Sequence, residues 1–297
     1  MKITNKYNLP KPLYNLVNNE YQYKDKQFSA TAILQGLKSL ILTKRHTDEI
    51  EQDVSDMANL IFGLALHKVL EDAQEDDDEL KEAYLIYSLD NGYKVSGRFD
   101  LYNETEMSVK DYKTCSVWKL KFKDFDDWKK QLHIYAWLLT KCDFKVERCE
   151  INYFIKDWSP KDYKLAMLKG DYYPEHAIGK IEFEFTKEDF DEIEKYIVER
   201  FNQIASYEQL EDDAIPVCSD EERWYSGDKY AVKKGNNIKA VRVFDNQEEA
   251  EKFAETNPQY WVEFRIGENR KCQDYCNACQ WCNYYKENVE VKDNVNQ

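Results

Sequence analysis

The sequence lacks any apolar run as long as the ~20 residues that a membrane-spanning helix needs. It also lacks the apolar segment of a signal peptide, because charged and polar residues interrupt every apolar stretch of the N-terminal MKITNKYNLPKPLYNL. Internal repeats and low-complexity linkers are missing as well. These absences predict a folded protein that does not associate with membranes and that works in the cytoplasm.

Positive charge is also scarce. The chain has 42 Lys and Arg residues against 57 Asp and Glu residues, which gives a formal net charge of −15. This balance argues at first against nucleic-acid binding, because phosphate groups are normally met by a basic surface. Much of the acid, however, is concentrated in segments such as EDAQEDDDEL (71–80), which we interpret as a solvated loop. Lysines cluster elsewhere, at Lys110, Lys113, Lys119, Lys121, Lys123, Lys129 and Lys130. A locally basic site is therefore compatible with the acidic composition.

Secondary-structure signals follow one another in the order helix, three strands, helix, strand. Helical apolar spacing is found over 29–45, 52–72 and 124–141, and a capping pair, Thr186 with Asp189, predicts a helix to about residue 206. Strand signals are found over 83–89, 93–102, 107–114, 149–158 and 180–185. Beyond residue 210 the pattern predicts a hairpin over 229–244, a short helix over 245–257 and a cluster of cysteines. We therefore expect an α/β core over 1–210 and a C-terminal segment over 211–297 that packs back on it.

One predicted hairpin, GRFDLYNETEMSVKDYKT (97–114), carries an unusual set of charges. Asp100 lies on its first strand, and Asp111 and Lys113 lie on its second strand. Residues i and i+2 of a strand point to the same face, so Asp111 and Lys113 are expected side by side. Burying two carboxylates and an ammonium group is costly unless something compensates for the lost hydration. A divalent metal ion is one candidate.

Four short motifs that surround this hairpin occur in a fixed order. They are G-x-x-x-H-x-x-x-E at Gly63, His67 and Glu71, G-x-x-D at Gly97 and Asp100, D-x-K at Asp111 and Lys113, and Q-x-x-x-Y at Gln131 and Tyr135. Each motif alone is common in a chain of this charge density. Together, and on matching elements, they make residues 29–160 resemble the PD-(D/E)XK nucleases, more specifically the RecB-like exonuclease branch, which includes many phage exonucleases.

The resemblance implies a restriction-endonuclease-like fold, in which a central mixed sheet is flanked by helices, and a metal-dependent DNA exonuclease activity. It implies that Asp100, Asp111, the backbone carbonyl of Tyr112 and His67 hold Mg²⁺ or Mn²⁺, and an imidazole ligand favours manganese. Lys113 would position or deprotonate the attacking water. Two alternatives stay open, namely a module of the same fold that binds nucleic acid or a partner without cutting, and a structure-specific endonuclease.

Further residues receive roles from the same resemblance. Gln131 and Tyr135 would orient the scissile phosphate or the DNA strand. Independently of the resemblance, Lys119, Lys121 and Lys123 of the lysine cluster are expected to contact DNA. The expected partner is DNA, with a recombination or single-strand-binding protein as a further candidate. A phage-encoded protein of this kind would act in the host cytoplasm.

Cysteines are concentrated near the C-terminus. Cys272, Cys276, Cys279 and Cys282 fall within eleven residues, and Cys218 lies upstream. In a cytosolic chain such crowding favours a metal site over disulfides, and four thiolates suit zinc. The resemblance to RecB-like nucleases implies instead a [4Fe–4S] cluster. Cys276 and Cys282 match its C-x5-C spacing, Cys272 would be a third ligand, and either Cys218 or Cys279 would be the fourth. We expect iron–sulfur with Cys218.

Overall fold

The structure is a computed structural model, and it describes residues 1–18, 24–73 and 76–290. The chain divides into two compact units. The first unit comprises Met1–Gln35 and Lys44–Gln209, and the second comprises Gly36–Thr43 and Leu210–Gln297. No helix in the described part of the chain is both long enough and apolar enough to cross a membrane.

The elements are named in chain order. The strands are β1 (Lys2–Thr4), β2 (Gln27–Ser29), β3 (Glu51–Asp53), β4 (Glu79–Lys81), β5 (Tyr84–Ser88), β6 (Lys94–Arg98), β7 (Leu101–Asn103), β8 (Ser108–Cys115), β9 (Arg148–Ile155), β10 (Ile178–Glu184), β11 (Lys229–Lys234), β12 (Arg242–Phe244) and β13 (Tyr260–Arg265). The α-helices are α1 (Lys11–Val17), α2 (Ala30–Ile33), α3 (Leu37–Arg45), α4 (Ala58–Glu71), α5 (Val117–Phe122), α6 (Asp126–Lys141), α7 (Pro160–Lys169), α8 (Lys187–Tyr207), α9 (Gln247–Ala254), α10 (Arg270–Asp274) and α11 (Asn283–Tyr285). Short 3-10 turns cover Val54–Asp56, Asp212–Ala214 and Cys279–Trp281, and a π-helical turn covers Lys286–Glu290.

A five-stranded mixed sheet forms the centre of the first unit. Its strand order is β10-β9-β8-β7-β4, with β8 and β9 parallel and the other neighbours antiparallel. Val109, Cys149 and Ile151 on β8 and β9 are completely buried, because helices cover the sheet. Helices α4 and α6 both contact β8, and α8 contacts α6. The predicted α/β fold class, with a mixed sheet flanked by helices, is confirmed.

Helix α6 is largely buried. The sequence predicted one apolar face, and the residues of that face, Trp128, Leu132, Tyr135 and Leu139, are all buried. Trp137 is buried as well, so apolar side chains cover more than one side of the helix.

Gly97 on β6 explains how the strand lies close to α6. A Cβ atom at this position would come within 2.8 Å of Leu138 Cδ1 and 2.9 Å of Tyr135 Cε1. Such distances are shorter than any ordinary contact, so a larger residue here would push β6 and α6 apart. The glycine of the G-x-x-D motif therefore has a packing reason in this structure.

The prediction of one continuous strand over 93–102 is wrong. This segment is divided into β6, which belongs to a second sheet of order β2-β6-β5, and β7, which belongs to the main sheet. The chain changes sheet at Phe99 and Asp100, where the Phe99 ring is 1% exposed and the Asp100 carbonyl accepts a hydrogen bond from Glu82 N at 3.1 Å. A buried ring and a long-range hydrogen bond override the strand propensity at this point, so the three predicted strands do not form one meander.

Two predicted helices also have different limits. The helix predicted over 29–45 is interrupted between α2 and α3, at Gly36, where a Cβ would lie 2.7 Å from Cys218 Sγ. The helix predicted over 52–72 begins at Ala58, because residues 51–53 pair with β1 as strand β3. On that helix Ile61 and Leu64 pack on an apolar cluster, but Val69 is 69% exposed.

The acidic segment 71–80 is only partly a loop. Residues 79–81 form β4 and pair with β7, whereas residues 74–75 lie outside the described part.

Other predictions at the level of elements are confirmed. Thr186 and Asp189 form a reciprocal capping box at the start of α8, with hydrogen bonds of 3.2 Å and 3.0 Å. Strands β11 and β12 form the predicted antiparallel hairpin of the second unit, and α9 follows it. Sequence patterns did not predict β13, which pairs with the other side of β11, or the helices α5 and α7.

Candidate active site

The two carboxylates of the predicted hairpin converge in the first unit. Asp100 lies in the bend immediately before β7 and is 7% exposed, and Asp111 lies in β8 and is 2% exposed. Strands β7 and β8 are antiparallel neighbours, with Leu101 opposite Lys110, so Asp100, one residue before β7, lies next to Asp111 of β8. Asp100 Oδ2 accepts a hydrogen bond from the backbone N–H of Tyr112 at 2.6 Å. This bond fixes the Asp100 carboxylate next to β8.

Lys113 is held from two sides. Its Nζ lies 2.6 Å from Asp111 Oδ2, as the alternation of side chains in β8 predicts. It also donates a hydrogen bond of 2.9 Å to Gln131 Oε1 on α6. Gln131 Nε2 in turn donates to Tyr135 OH at 2.8 Å, one helical turn further along. The predicted residues Lys113, Gln131 and Tyr135 thus form one hydrogen-bonded chain, and an ion pair joins its Lys113 end to Asp111.

His67 reaches the same site from α4. Its Nδ1 lies 3.1 Å from Asp100 Oδ1, and its ring meets the Tyr112 ring edge to face at 6.3 Å between centroids. Glu71, the last residue of the predicted His motif, instead pairs with Lys68 at 3.1 Å on the helix surface.

A residue that sequence reasoning missed, Glu82, completes this side of the site. Its Oε1 is 4.0 Å from His67 Nδ1, and ligand atoms of His67, Glu82 and Asp100 all lie within 4.8 Å of one another. Glu82 has a φ of 49°, which side chains other than glycine rarely adopt, and its N–H is bonded to the Asp100 carbonyl. Such backbone strain is often found at functional sites. Glu82 is distinguished only by its positive φ in the link between two strands, and the amino-acid sequence does not predict that backbone angle.

Burial and neighbouring charges both act on the ionisable groups of the site. Burial raises the pKa of Asp111 to about 6, the nearby Lys113 ammonium opposes this rise, and the Asp100 charge adds to it. Burial, followed by the charge of Asp100, also raises the pKa of Glu82, and nearby cationic groups oppose this rise. The hydrogen bond to Asp100 raises the pKa of His67. Burial thus disfavours the charged forms of Asp111 and Glu82, whereas a neighbouring carboxylate favours the charged form of His67.

A divalent cation fits this arrangement. His67, Glu82 and Asp100 offer one imidazole nitrogen and two carboxylate oxygens within 4.8 Å of one another, a set that suits manganese or magnesium. Asp111 lies outside this group, and its buried Oδ2 is ion-paired with Lys113 Nζ at 2.6 Å. A bound cation would favour the ionised form of Asp111, whose pKa is raised by burial.

The three lysines that follow β8 lie on or next to α5. Lys119 faces α6, where its Nζ pairs with Asp127 Oδ1 at 2.7 Å and lies 5.1 Å from the centroid of the Trp128 ring. Lys121 and Lys123 lie instead over aromatic rings. The ammonium group of Lys119 is therefore paired with Asp127, and the DNA contact that the sequence predicted for it stays a prediction.

The five C-terminal cysteines line one cavity in the second unit. They are Cys218, Cys272, Cys276, Cys279 and Cys282. Burial raises the pKa of Cys272 to about 12, with further contributions from Cys276, Cys218 and Cys282. Within the described residues, no three of these sulfurs lie mutually within 4.8 Å, whereas tetrahedral zinc, with bonds of ~2.3 Å, holds its sulfurs about 3.8 Å apart. No three of these sulfurs are therefore as close together as the ligands of a tetrahedral zinc ion.

No family model and no curated protein matches this chain. Solved structures resemble it at low identity. The protein SSO0001 is 17% identical over 65% of this chain and 82% of that chain, with a TM-score of 0.46. The alkaline exonuclease LHK-Exo from Laribacter hongkongensis is 12% identical over 62% and 90%, with a TM-score of 0.39. A phage-related exonuclease from Haemophilus somnus 129PT is 14% identical over 63% and 96%, with a TM-score of 0.35. Two of these three are exonucleases, the class that the sequence motifs predict, but likenesses at this level assign no activity to this chain.

Proposed function

We propose that this chain is a divalent-metal-dependent nuclease that hydrolyses phosphodiester bonds of linear or single-stranded DNA. The observation that carries the proposal is the convergence of Asp100, from the bend before β7, with Asp111 and Lys113 of β8, with His67 and Glu82 beside them. Carboxylates buried so close together are costly for folding, so a site of this kind is better explained by a bound cation than by stability.

The reaction assigns different tasks to the side chains. His67, Glu82 and Asp100, whose ligand atoms lie within 4.8 Å of one another, would hold a divalent ion, with Asp111 as a further carboxylate ligand. When bound, the ion would supply water activation and neutralise charge on the reacting phosphate. The Lys113 ammonium, held beside Asp111, is placed to orient the water or to stabilise the developing negative charge.

Gln131 and Tyr135 are positioning residues in this proposal. Gln131 accepts a hydrogen bond from Lys113 and donates one to Tyr135, so it fixes the direction in which the Lys113 side chain points. We also propose the backbone carbonyl of Tyr112 as a metal ligand. The hydrogen bond from the Tyr112 N–H to Asp100 holds this part of β8 near the Asp100 carboxylate.

Incubation of the purified protein with linear and closed circular DNA, with Mn²⁺ or with EDTA, tests the proposal. We expect Mn²⁺-dependent loss of the linear DNA only. Cleavage of the closed circle would instead identify an endonuclease. Lys113→Ala should lower the cleavage rate by about 10²- to 10⁴-fold, the usual contribution of a proton-transfer group, whereas the exposed Lys195→Ala serves as a control. Cleavage that persists at the wild-type rate in Lys113→Ala and in Asp111→Asn would refute the assignment of this site.

We further propose that the cysteines of the second unit hold a [4Fe–4S] cluster with a structural role. The cavity that all five cysteines line supports a metal centre, and the C-x5-C spacing of Cys276 and Cys282 favours iron–sulfur over zinc. Cys218 lines this cavity and contributes to the raised pKa of Cys272, so we keep it as the proposed fourth ligand.

The cluster has a direct test. Anaerobically purified protein should be brown, with broad absorption near about 400 nm that is characteristic of iron–sulfur charge transfer. Cys218→Ser should lose this colour and much of its thermal stability, because ligand bonds contribute folding free energy. Cys279→Ser should keep both. A colourless protein with stoichiometric zinc would contradict the iron assignment, and equal effects of both substitutions would contradict the choice of ligand.

A further inference from the structure

Helix α5 presents two large aromatic side chains to solvent. Trp118 is 56% exposed and Phe122 is 74% exposed, and their rings are stacked, with centroids 5.8 Å apart and an interplanar angle of 23°. Val117 and Leu120 fill the buried side of the same helix. Trp118 and Phe122 are therefore not needed for the core, and two adjacent exposed aromatic rings indicate a binding surface.

Cationic side chains surround these rings. Lys121 Nζ lies 4.9 Å from the centroid of Trp118, and Lys123 Nζ lies 5.9 Å from the centroid of Tyr172, which is 55% exposed. We call the surface formed by Trp118, Phe122, Tyr172, Lys121 and Lys123 the aromatic platform. It offers flat apolar faces and positive charge on a protein that is otherwise strongly acidic.

The platform is rigidly connected to the candidate active site. Helix α5 begins four residues after Lys113, and the backbone N–H of Val117 donates to Asp157 Oδ1 at 2.7 Å. Lys119 of the same helix pairs with Asp127 of α6 at 2.7 Å. Helix α5 thus follows β8 after one residue, is hydrogen-bonded to Asp157 in the segment after β9, and is ion-paired with α6. Strand β8 and helix α6 carry the hydrogen bonds around Lys113.

We propose that the aromatic platform stacks unpaired bases of single-stranded DNA, an inference that rests on the nuclease function proposed above. Every base has an aromatic face that can stack on Trp118 or Phe122, and Lys121 and Lys123 provide charge for the phosphates between them. Duplex DNA keeps its bases inside the helix, so it cannot use these rings in the same way. The lysines favour a polyanionic strand over an apolar protein segment as the occupant.

Fluorescence anisotropy with a labelled single-stranded oligonucleotide in EDTA measures binding without cleavage. Trp118→Ala and Phe122→Ala should each weaken binding about five- to hundredfold, the usual effect of losing one stacked base, and Trp118→Phe should restore most of the affinity. Tyr7→Ala, which removes another exposed aromatic ring of the first unit, should have no effect. Lys121→Ala should reduce the salt dependence by about 0.7 in logarithmic slope, as expected for one phosphate of a single strand.

An abasic strand of the same length separates stacking from charge. It keeps the phosphates but has no bases, so the wild type should bind it more weakly than the normal strand, and Trp118→Ala should not weaken that binding further. If Trp118→Ala weakened both strands equally, or neither, stacking would be refuted. A wild type that does not bind single strands in EDTA would also overturn the inference. Binding that is intact in a protein that never cuts would instead refute only the nuclease proposal.

Discussion

Asp111→Asn is expected to stabilise the metal-free protein at pH 7.5. Asp111 is 2% exposed, and burial raises its pKa from 3.8 to about 6. When folding raises the pKa of an acid, ionisation of that acid at neutral pH destabilises the folded state relative to the unfolded chain. At about 1.36 kcal/mol per pKa unit, this cost is about 3 kcal/mol at pH 7.5. Asparagine has nearly the same shape and no charge, so it removes the cost.

The dependence on pH follows from the same numbers. Below about pH 6 the folded protein keeps Asp111 protonated, while the unfolded chain stays ionised down to about pH 4. The advantage of the Asn variant is therefore complete above pH 6 and decreases as the pH falls. Between pH 7.5 and pH 5.5 we expect the difference in free energy of unfolding to narrow by about 1 kcal/mol.

Urea denaturation in EDTA measures these differences, and a repeat with Mn²⁺ should cancel most of the difference at pH 7.5. Metal binding at about 100 times Kd stabilises the wild type by about 2.7 kcal/mol, whereas the variant has lost a carboxylate ligand and should gain less. Asp171→Asn, at an exposed position, should change stability by no more than about 0.5 kcal/mol. An Asp111→Asn variant that is less stable than the wild type in EDTA, or that Mn²⁺ stabilises equally, would refute the reasoning.

Two further predictions use matched pairs. Glu82→Gln should weaken Mn²⁺ binding in isothermal titration calorimetry, whereas Glu71→Gln should not, because of these two residues only Glu82 belongs to the metal-ligand group. Equal Mn²⁺ affinities of both variants would show that Glu82 is not a metal ligand. Gly97→Ala should lower the free energy of unfolding by about 1–3 kcal/mol, since its Cβ would lie 2.8 Å from a side chain of α6. Gly63→Ala should raise it by about 0.5–1 kcal/mol, because its Cβ meets nothing within 4 Å and alanine favours the helix; urea denaturation at pH 7.5 distinguishes the two.

Local periodicity was enough to predict much of the site. Residues two apart in a strand share a face, so the sequence alone pairs Asp111 with Lys113, and their atoms are 2.6 Å apart. Residues four apart on a helix are neighbours, which placed Gln131 next to Tyr135. The capping box of α8 is equally local. In each case the geometry depends on one element only.

Tertiary structure alone decided the features that depend on distant segments. Glu82 enters the site because its backbone N–H bonds to Asp100 and its φ is positive, and neither leaves a mark in a residue pattern. The break between β6 and β7 has the same origin, since the burial of Phe99 outweighs local strand propensity. The amino-acid sequence by itself determined which residues of a strand or helix share a face, because that follows from backbone geometry. Which faces meet, and which carboxylate approaches which histidine, depends on packing between segments far apart in the chain.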